Sequence, residues 1–216
     1  VQILLPRPLK LSDNQIVIIG GGLQGLATAF TLLQRGEEVL ILERENDVAS
    51  SASFANAGML TPSQSSPWNS PDDILQILAG IGKKDSPMAM SPFAIPTLIS
   101  WGFKFLINST PKRFNRITSN LYTLGSYSKD LTKDVREKFN LSYEQSERGT
   151  LKIYRKPEHF DKAVKKLSSI FPDNSGVSVL EDKELIELEP QLEDIKTELS
   201  GGIYFSNDEI GDAYKF

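Results

Sequence analysis

The chain of 216 residues carries 24 lysines and arginines against 28 aspartates and glutamates, a net charge of −4 that does not suggest a nucleic-acid surface. It has no cysteine and a single histidine, which excludes disulfides and thiolate sites and argues against a metal centre or a Ser-His-Asp triad. No apolar run reaches the ~18–20 residues that span a bilayer, and residues 1–13 lack the apolar core of a signal peptide, so the expected location is the cytoplasm.

The first predicted elements form a strand, a glycine turn, a helix and a second strand. The apolar run Ile16–Ile19 leads into a G-x-G-x-x-G turn, and the run Val39–Leu42 ends at Glu43. The turn contains Gly20, Gly22, Leu23, Gln24 and Gly25. Glycines at these positions allow a tight turn, backbone approach to a pyrophosphate and close helix packing, while the helix N-terminus attracts phosphates.

An acid roughly 20 residues after the last glycine binds ribose hydroxyls in such units, and its charge disfavours the extra phosphate of NADP. Glu43 occupies that position. We therefore predict a mononucleotide or dinucleotide site, with a purely structural glycine turn as the alternative. Arg44 either reaches the adenine ribose or is a solvated arginine at a strand end.

A serine- and alanine-rich loop, 50–58, comes next, followed by a proline- and serine-rich segment over 61–71. Such segments are either flexible linkers or loops that wrap a ligand. A short helix is predicted over Asp72–Leu78. A second helix is predicted over residues 91–107, with its aromatic side chains packed against the core; contact with a membrane surface is the alternative for those side chains.

The rest of the chain alternates helices and strands. Apolar residues at three- and four-residue steps predict a long helix from Phe114 to Phe139, with Pro111 near its first turn. The later elements are a strand over Gly149–Arg155, a helix over Pro157–Ile170, a strand over Val177–Leu180, a short helix over Asp182–Leu188 and a strand over Gly201–Ser206. The acidic stretch Asn207–Asp212 is predicted to be a solvated turn, with a position at the border of the active site as the alternative for its acidic residues. No further parallel strand follows Leu42, so we expect the nucleotide domain to be begun but not finished within this chain.

Several segments resemble the FAD-dependent D-amino acid dehydrogenases, within the larger group of D-amino acid, glycine and sarcosine oxidases. The similarity spans Gln15 to Phe216 and rests on the glycine unit together with other short segments. These are Ser51-Ala52-Ser53-Phe54-Ala55-Asn56-Ala57-Gly58, Pro62, Pro67-Trp68, Pro71, Arg148-Gly149-Thr150-Leu151, Glu187-Leu188-Glu189-Pro190, Gly201-Gly202-Ile203-Tyr204 and Asn207-Asp208-Glu209-Ile210-Gly211-Asp212. The Asn56-Ala57-Gly58 element, the Pro67-Trp68 loop and the late acidic turn favour the dehydrogenase branch.

The resemblance implies an α/β flavoprotein fold, a Rossmann-like FAD-binding βαβ unit interleaved with an α+β substrate domain and incomplete at the C-terminus. Residues 14–66 would be the first FAD-binding segment, 67–206 a helical insertion and the substrate domain, and 207–216 the return toward the FAD-binding domain. Family proteins are about twice this length, so the chain is expected to be an N-terminal half, inactive alone, with the substrate-binding arginine beyond Phe216. No catalytic residue is predicted within it.

By the same resemblance, FAD is the cofactor and small D-amino acids such as D-alanine are substrates. Hydride transfer to flavin N5 and hydrolysis of the imine give a 2-oxo acid and ammonia, with a quinone or the respiratory chain as electron acceptor. The implied cofactor residues are the turn residues, Glu43 and Arg44, with Ser51, Ser53, Asn56, Ala57 and Gly58 running past the pyrophosphate to the flavin. A peripheral position on the inner face of the cell membrane is an alternative to a free cytoplasmic one.

Two other functions stay open on the sequence. A glycine, sarcosine or proline oxidase would share the fold but differ in oxygen use and substrate. A truncated, non-catalytic nucleotide-binding module would instead leave apolar sheet edges and faces exposed.

Overall fold

The structure, a computed structural model, describes residues 14–70, 95–171 and 176–216 and the single positions 74, 80, 82 and 93. Residues 1–13 lie outside the described residues, as does the predicted helix Asp72–Leu78 apart from the single position 74. None of the helices in the described residues has the length and apolarity of a bilayer-spanning segment.

The α-helices and the longer strands lie close to where they are predicted. The helices are α1 (Leu23–Gln34), α2 (Ile95–Asn108), α3 (Pro111–Phe139), α4 (Pro157–Ile170) and α5 (Asp182–Leu188), with 3₁₀ helices at Pro62–Gln64 and Pro190–Glu198. The strands are β1 (Ile16–Ile19), β2 (Val39–Leu42), β3 (Met59–Leu60), β4 (Thr150–Tyr154), β5 (Val177–Leu180), β6 (Gly201–Phe205) and β7 (Glu209–Ile210). Strands β3 and β7 and these two 3₁₀ helices are not predicted.

The described residues form two compact units. The first unit contains the described residues up to Gly58, with Ser142–Gln145 and Gly211–Phe216. The second unit contains the described residues of Met59–Leu141 and Ser146–Ile210. The domain boundaries at residues 66 and 206 stay a prediction.

The first unit is built on the predicted βαβ element. Strands β1 and β2 pair in parallel, with Ile16 opposite Val39 and Ile19 opposite Leu42, and α1 connects them. A parallel pair needs such a crossover, and both carboxyl ends then lie at one edge of the sheet. The turn that follows β1 and the acid that follows β2 are thereby placed at the same edge.

The second unit is built on an antiparallel sheet with the order β4-β6-β5. One face packs against α4 through a buried cluster of aromatic and aliphatic side chains. The cluster contains Phe160, Phe171, Ile203 and Phe205. A second, two-stranded sheet pairs β3 with β7 in antiparallel register. The mixed α/β and α+β fold class is therefore confirmed.

Two expectations about burial are wrong. Helix α2 exists, but two of its aromatic side chains are not packed into a core: Trp101 is 52% exposed and Phe103 is 65% exposed, whereas Phe105 is partly buried. The turn predicted to be a solvated acidic segment buries Asp208 and Glu209, which are 1% and 4% exposed. Local composition indicates neither outcome, because burial depends on partners distant in the sequence.

Candidate nucleotide-binding site

The glycine turn joins β1 to α1 with the geometry that the motif predicts. Gly20 has φ +101°, a backbone conformation that residues other than glycine rarely adopt. Gly22 is the N-cap of α1 and lies next to Ser53. A Cβ added to Gly22 would lie 3.3 Å from the Ser53 Oγ. At Gly25 a Cβ would lie 2.0 Å from the carbonyl oxygen of Gly20, so only glycine lets α1 approach the turn this closely. The turn and the N-terminus of α1 therefore form a compact backbone cradle.

Glu43 holds the other side of this cradle. Its Oε2 accepts the N–H of Gly21 at 2.6 Å, and its Oε1 accepts the N–H groups of Arg44 and Glu45 at 2.7 and 3.0 Å. A carboxylate has about four acceptor positions, so these three bonds leave one on Oε2 for a ribose hydroxyl. The N–H groups of Glu45, Gly21 and Arg44 hold the pKa of Glu43 below its usual value of 4.5.

We expect Glu43→Gln to weaken FAD binding by roughly tenfold to a hundredfold, because the amide lacks the charge that strengthens bonds from N–H and O–H donors. The lowered pKa adds a pH dependence. The stabilisation by Glu43 is complete above pH 4.5 and is lost as the pH falls through the lower folded-state pKa. Amide NMR shifts of Gly21 and Glu45 followed from pH 6 downward would report this titration, and FAD fluorescence titrations would report the affinity.

Glu45→Gln is the matched control, because the Glu45 carboxylate bonds the exposed Arg44 side chain rather than the glycine turn. Equal loss of FAD affinity in both variants would show that local charge, not the position of Glu43, controls binding.

Ser53 brings the serine-rich loop to the helix N-terminus. Its Oγ accepts the N–H of Leu23 at 3.2 Å, while the N–H of Ala49 donates to the Gly21 carbonyl at 2.8 Å. The sequence predicts that the loop 50–58 is either a flexible linker or a loop that wraps a ligand. In the structure this loop packs against the glycine turn. The Ser53 hydroxyl therefore lies beside a helix N-terminus, the kind of backbone position that binds phosphates.

The last residues of the chain brace the far end of the same loop. Gly58 has φ +61° and its carbonyl accepts the N–H of Gly211 at 2.8 Å; a Cβ on Gly58 would lie 2.2 Å from the Gly211 oxygen. The Tyr214 hydroxyl donates to Asp47 Oδ2 at 3.1 Å, and its ring meets Phe54 edge to face at 5.0 Å. Both ends of the loop are therefore fixed within the first unit.

The structure brings some predicted site residues together and leaves others apart. The turn residues, Glu43 and Ser53 converge at the N-terminus of α1. Arg44 does not join them: its side chain is 85% exposed and pairs with Glu45 at 2.9 Å. The remaining loop residues lie along the loop with local roles only: Ser51 accepts the Phe54 N–H, Asn56 Oδ1 accepts the Gly58 N–H, and Ala57 is exposed. Their assignment to flavin binding stays a prediction, as does that of Gln24 at the exposed start of α1.

Sequence reasoning missed Asp208 as an organising residue of the second unit. Its carboxylate accepts the Ser63 hydroxyl and the Thr150 hydroxyl, both at 2.5 Å, and the Ser63 N–H at 3.3 Å. Asp208 therefore fixes the 3₁₀ helix Pro62–Gln64 and the start of β4 to the turn after β6. Buried carboxylates need such donors, since an unpaired one would be strongly destabilising.

The geometry of the first unit fits an FAD-type dinucleotide. A glycine cradle at a helix N-terminus accommodates a pyrophosphate, and a carboxylate with a remaining acceptor position at the end of the second strand accommodates a ribose. Neither Cys nor a cluster of metal-binding side chains is needed for this binding mode.

Comparison with solved structures shows the same fold. Glycine oxidase from Geobacillus kaustophilus is 22% identical with a TM-score of 0.56, covering 94% of this chain and 41% of that protein. L-amino acid deaminase from Proteus myxofaciens is 18% identical with a TM-score of 0.59, covering 96% and 35%. L-α-glycerophosphate oxidase from Mycoplasma pneumoniae, solved with FAD bound, is 17% identical with a TM-score of 0.55, covering 92% and 39%. The chain thus spans about 40% of the length of the proteins it matches.

A family model described as "FAD dependent oxidoreductase" matches residues 15–216, nearly the whole chain. The match includes the glycine turn, Glu43, the loop 50–58 and all three sheets of the described residues. The chain therefore belongs to the FAD-dependent oxidoreductase family, whose cofactor is FAD.

Proposed function

We propose that this chain is part of an FAD-dependent dehydrogenase that oxidatively deaminates small D-amino acids, with D-alanine as the representative substrate. The observation that carries the proposal is the convergence of the glycine turn, Glu43 and Ser53 at the N-terminus of α1. It supports an FAD site of the family type. The D-amino acid class rests on the resemblance of short elements to the dehydrogenase branch.

Two of those elements are in contact in the structure. The Asn56-Ala57-Gly58 element and the late acidic turn meet through the Gly211 N–H and the Gly58 carbonyl. A Cβ on Gly58 would lie 2.2 Å from the Gly211 carbonyl oxygen, so this contact requires glycine at position 58. The contact supports the resemblance by showing that the two elements are neighbours in the fold.

The proposed reaction balances with no acid–base pair from this chain. When bound, the flavin supplies a two-electron acceptor for the hydride from the substrate Cα. The substrate nitrogen loses a proton, which leaves an imino acid, and water hydrolyses the imino acid to a 2-oxo acid and ammonia. The residues of this chain bind and orient: the helix N-terminus and Ser53 toward phosphate, and Glu43 toward ribose. A quinone or another component of the respiratory chain is the proposed acceptor of the two electrons, and the proposed location is cytoplasmic.

A glycine-, sarcosine- or proline-type oxidase is the alternative within the family. It is favoured by the glycine oxidases among the solved structures of the same fold. The two functions differ in whether oxygen or a quinone reoxidises the flavin, and in the substrate. A truncated, non-catalytic nucleotide-binding module is the alternative from another class.

The test uses two proteins. The 216-residue chain is purified in excess FAD and desalted; a retained flavin absorption band is expected from the site described above. The complete product of the reading frame that encodes the chain is then mixed anaerobically with D-alanine, L-alanine, glycine, sarcosine and L-proline. Bleaching of the band by D-alanine, with reoxidation by a quinone analogue rather than oxygen, supports the dehydrogenase.

Bleaching only by glycine, sarcosine or proline, with rapid reoxidation by oxygen, would show that the protein is an oxidase of that type and not a D-amino acid dehydrogenase. A complete product that retains FAD but is bleached by none of these would favour the non-catalytic module.

A further inference from the structure

The second unit contains a cavity between α4, the β4-β6-β5 sheet and the 3₁₀ helix Pro62–Gln64. Its volume is about 400 Å³. Sites for small ligands have volumes of about 300–1,000 Å³, with a mostly apolar lining and a few polar groups that fix the orientation of the ligand. The cavity is therefore large enough for a small organic molecule, and the side chains that line it indicate which kind.

The floor of the cavity is apolar and aromatic. Phe114, Phe171 and Phe205 line it and are at most 7% exposed, and Ile203 beside them is buried as well. The rings of Phe171 and Phe205 lie 5.6 Å apart between their centroids. Aromatic side chains at such distances offer both ring faces and ring edges to a further aromatic ring. The cavity therefore opens onto the aromatic core of the second unit.

The rim of the cavity is basic. Lys152 on β4 and Lys162 and Lys166 on α4 line it, and no aspartate or glutamate is among the described residues that do so. His159 lines it too, and with Lys162 and Lys166 it is spaced at i, i+3 and i+7, which places the three on one face of α4. The Lys152 Nζ lies 5.9 Å from the centroid of the Tyr154 ring. Cations from two separate elements therefore meet at one opening, in a chain whose net charge is −4.

The other side of α4 has a different charge pattern. A neighbouring groove is lined by Glu158, Asp161, Lys162, Lys165 and Lys166, so its basic and acidic side chains nearly balance. The groove also lacks the buried aromatic floor of the cavity. An amphipathic helix with solvated lysines explains the groove, but it does not explain why basic side chains alone surround an aromatic cavity.

We propose that this cavity binds a small aromatic carboxylate. The ring would lie against Phe114, Phe171 and Phe205, and the carboxylate would accept hydrogen bonds from the lysine ammonium groups at the rim. A neutral aromatic molecule would lack the second interaction, and an inorganic anion would lack the first. The site lies within the second unit, and the proposal depends neither on the nucleotide site nor on the proposed substrate.

The test is isothermal titration calorimetry with 2-naphthoate as the probe. The protein is the FAD-loaded, complete product of the reading frame that encodes the chain. The neutral analogue 2-naphthalenemethanol has the same ring system without the charge, so it is expected to bind at least roughly tenfold more weakly. The flavin absorption band, recorded during the same titration, is expected to stay unchanged.

Variants of α4 separate the basic and the apolar contributions. Replacing both Lys162 and Lys166 by glutamine should weaken 2-naphthoate binding by roughly tenfold, because each partly exposed charge contributes a severalfold factor, and should leave the neutral analogue unchanged. Lys165→Gln is the matched control, because Lys165 lines the groove and not the cavity. Ala163→Leu fills the cavity from α4 and should weaken both probes by roughly tenfold or more. Leucine is a good helix former, and Ala163→Val repeats the test should Ala163→Leu not fold by circular dichroism.

Four results would overturn the proposal. The first is the absence of measurable 2-naphthoate binding, and the second is equal affinity for the two probes, which would remove the role of the lysines. Equal losses in Lys165→Gln and in the double lysine variant would show a general effect of charge on the helix. Binding that shifts the flavin band and persists in Ala163→Leu would place the probe at the flavin, which would leave the proposed function intact.

Discussion

Gly25→Ala, which adds a single methyl group, is expected to disrupt the nucleotide site. The added Cβ would lie 2.0 Å from the Gly20 carbonyl oxygen and 3.4 Å from the Ile18 side chain, so α1 must move away from β1. The Gly20 carbonyl belongs to the backbone, which cannot move aside as a flexible side chain can. Overpacking of this kind lowers the free energy of unfolding by about 1–3 kcal/mol or more. The displaced helix N-terminus no longer faces the turn, and we expect FAD affinity to fall by roughly tenfold to a hundredfold or beyond.

The measurement is an FAD fluorescence titration, combined with hydrogen exchange to locate the damage. Protection should fall at β1, β2 and α1, while the β4-β6-β5 sheet keeps its protection. Gly102→Ala is the matched control: a Cβ there meets nothing within 4 Å, and alanine is favoured over glycine inside a helix by about 1 kcal/mol. A Gly25→Ala protein with unchanged FAD affinity would show that the close approach of α1 to the turn is not what builds the site.

The elements of this fold were predictable where local signals agree. Helix α4 begins at Pro157 and ends at Ile170 as predicted, because proline at the first helical position and a regular apolar period mark the same boundaries. The βαβ unit was predictable for the same reason, since Gly20, Gly25 and Glu43 each serve a local geometric need. The packing of α2 was not predictable, because its period identifies an apolar face without indicating what covers that face.

The interior of the second unit shows why burial is harder to predict than secondary structure. Asp208 lies in an acidic stretch that the sequence predicts to be exposed to solvent. It is buried because the hydroxyls of Ser63 and Thr150, far away along the chain, donate hydrogen bonds to its carboxylate. In the first unit, Tyr214 belongs to no sequence motif, yet its hydroxyl donates a hydrogen bond to the Asp47 carboxylate. Only the folded chain brings such donors and acceptors together, so composition near either residue carries no signal of the contact.

Glu209 and Arg136 form the buried ion pair on which the largest expected loss of stability depends. The Arg136 Nη1 lies 2.8 Å from Glu209 Oε2, with both side chains at most 6% exposed, and Arg136 Nη2 lies 2.9 Å from Glu147 Oε1. We expect Arg136→Met to lower the free energy of unfolding by about 3–5 kcal/mol, because it leaves Glu209 buried with Lys129, at 3.8 Å, as its remaining cation among the described ion pairs. Urea denaturation followed by circular dichroism measures the loss.

Lys133→Met distinguishes this effect from the removal of any cation on α3. Lys133 is 44% exposed and lies 3.9 Å from Glu137, so its loss should change stability by no more than about 1 kcal/mol. Adding Glu209→Gln to Arg136→Met should recover part of the stability, because the buried uncompensated charge is then absent. Hydrogen exchange should show the loss first where β7 pairs with β3, the strand that directly follows the loop ending at Gly58. Recovery in the double variant together with restored protection of β3 would establish that charge compensation at Glu209, rather than the bulk of Arg136, keeps that strand pair in place.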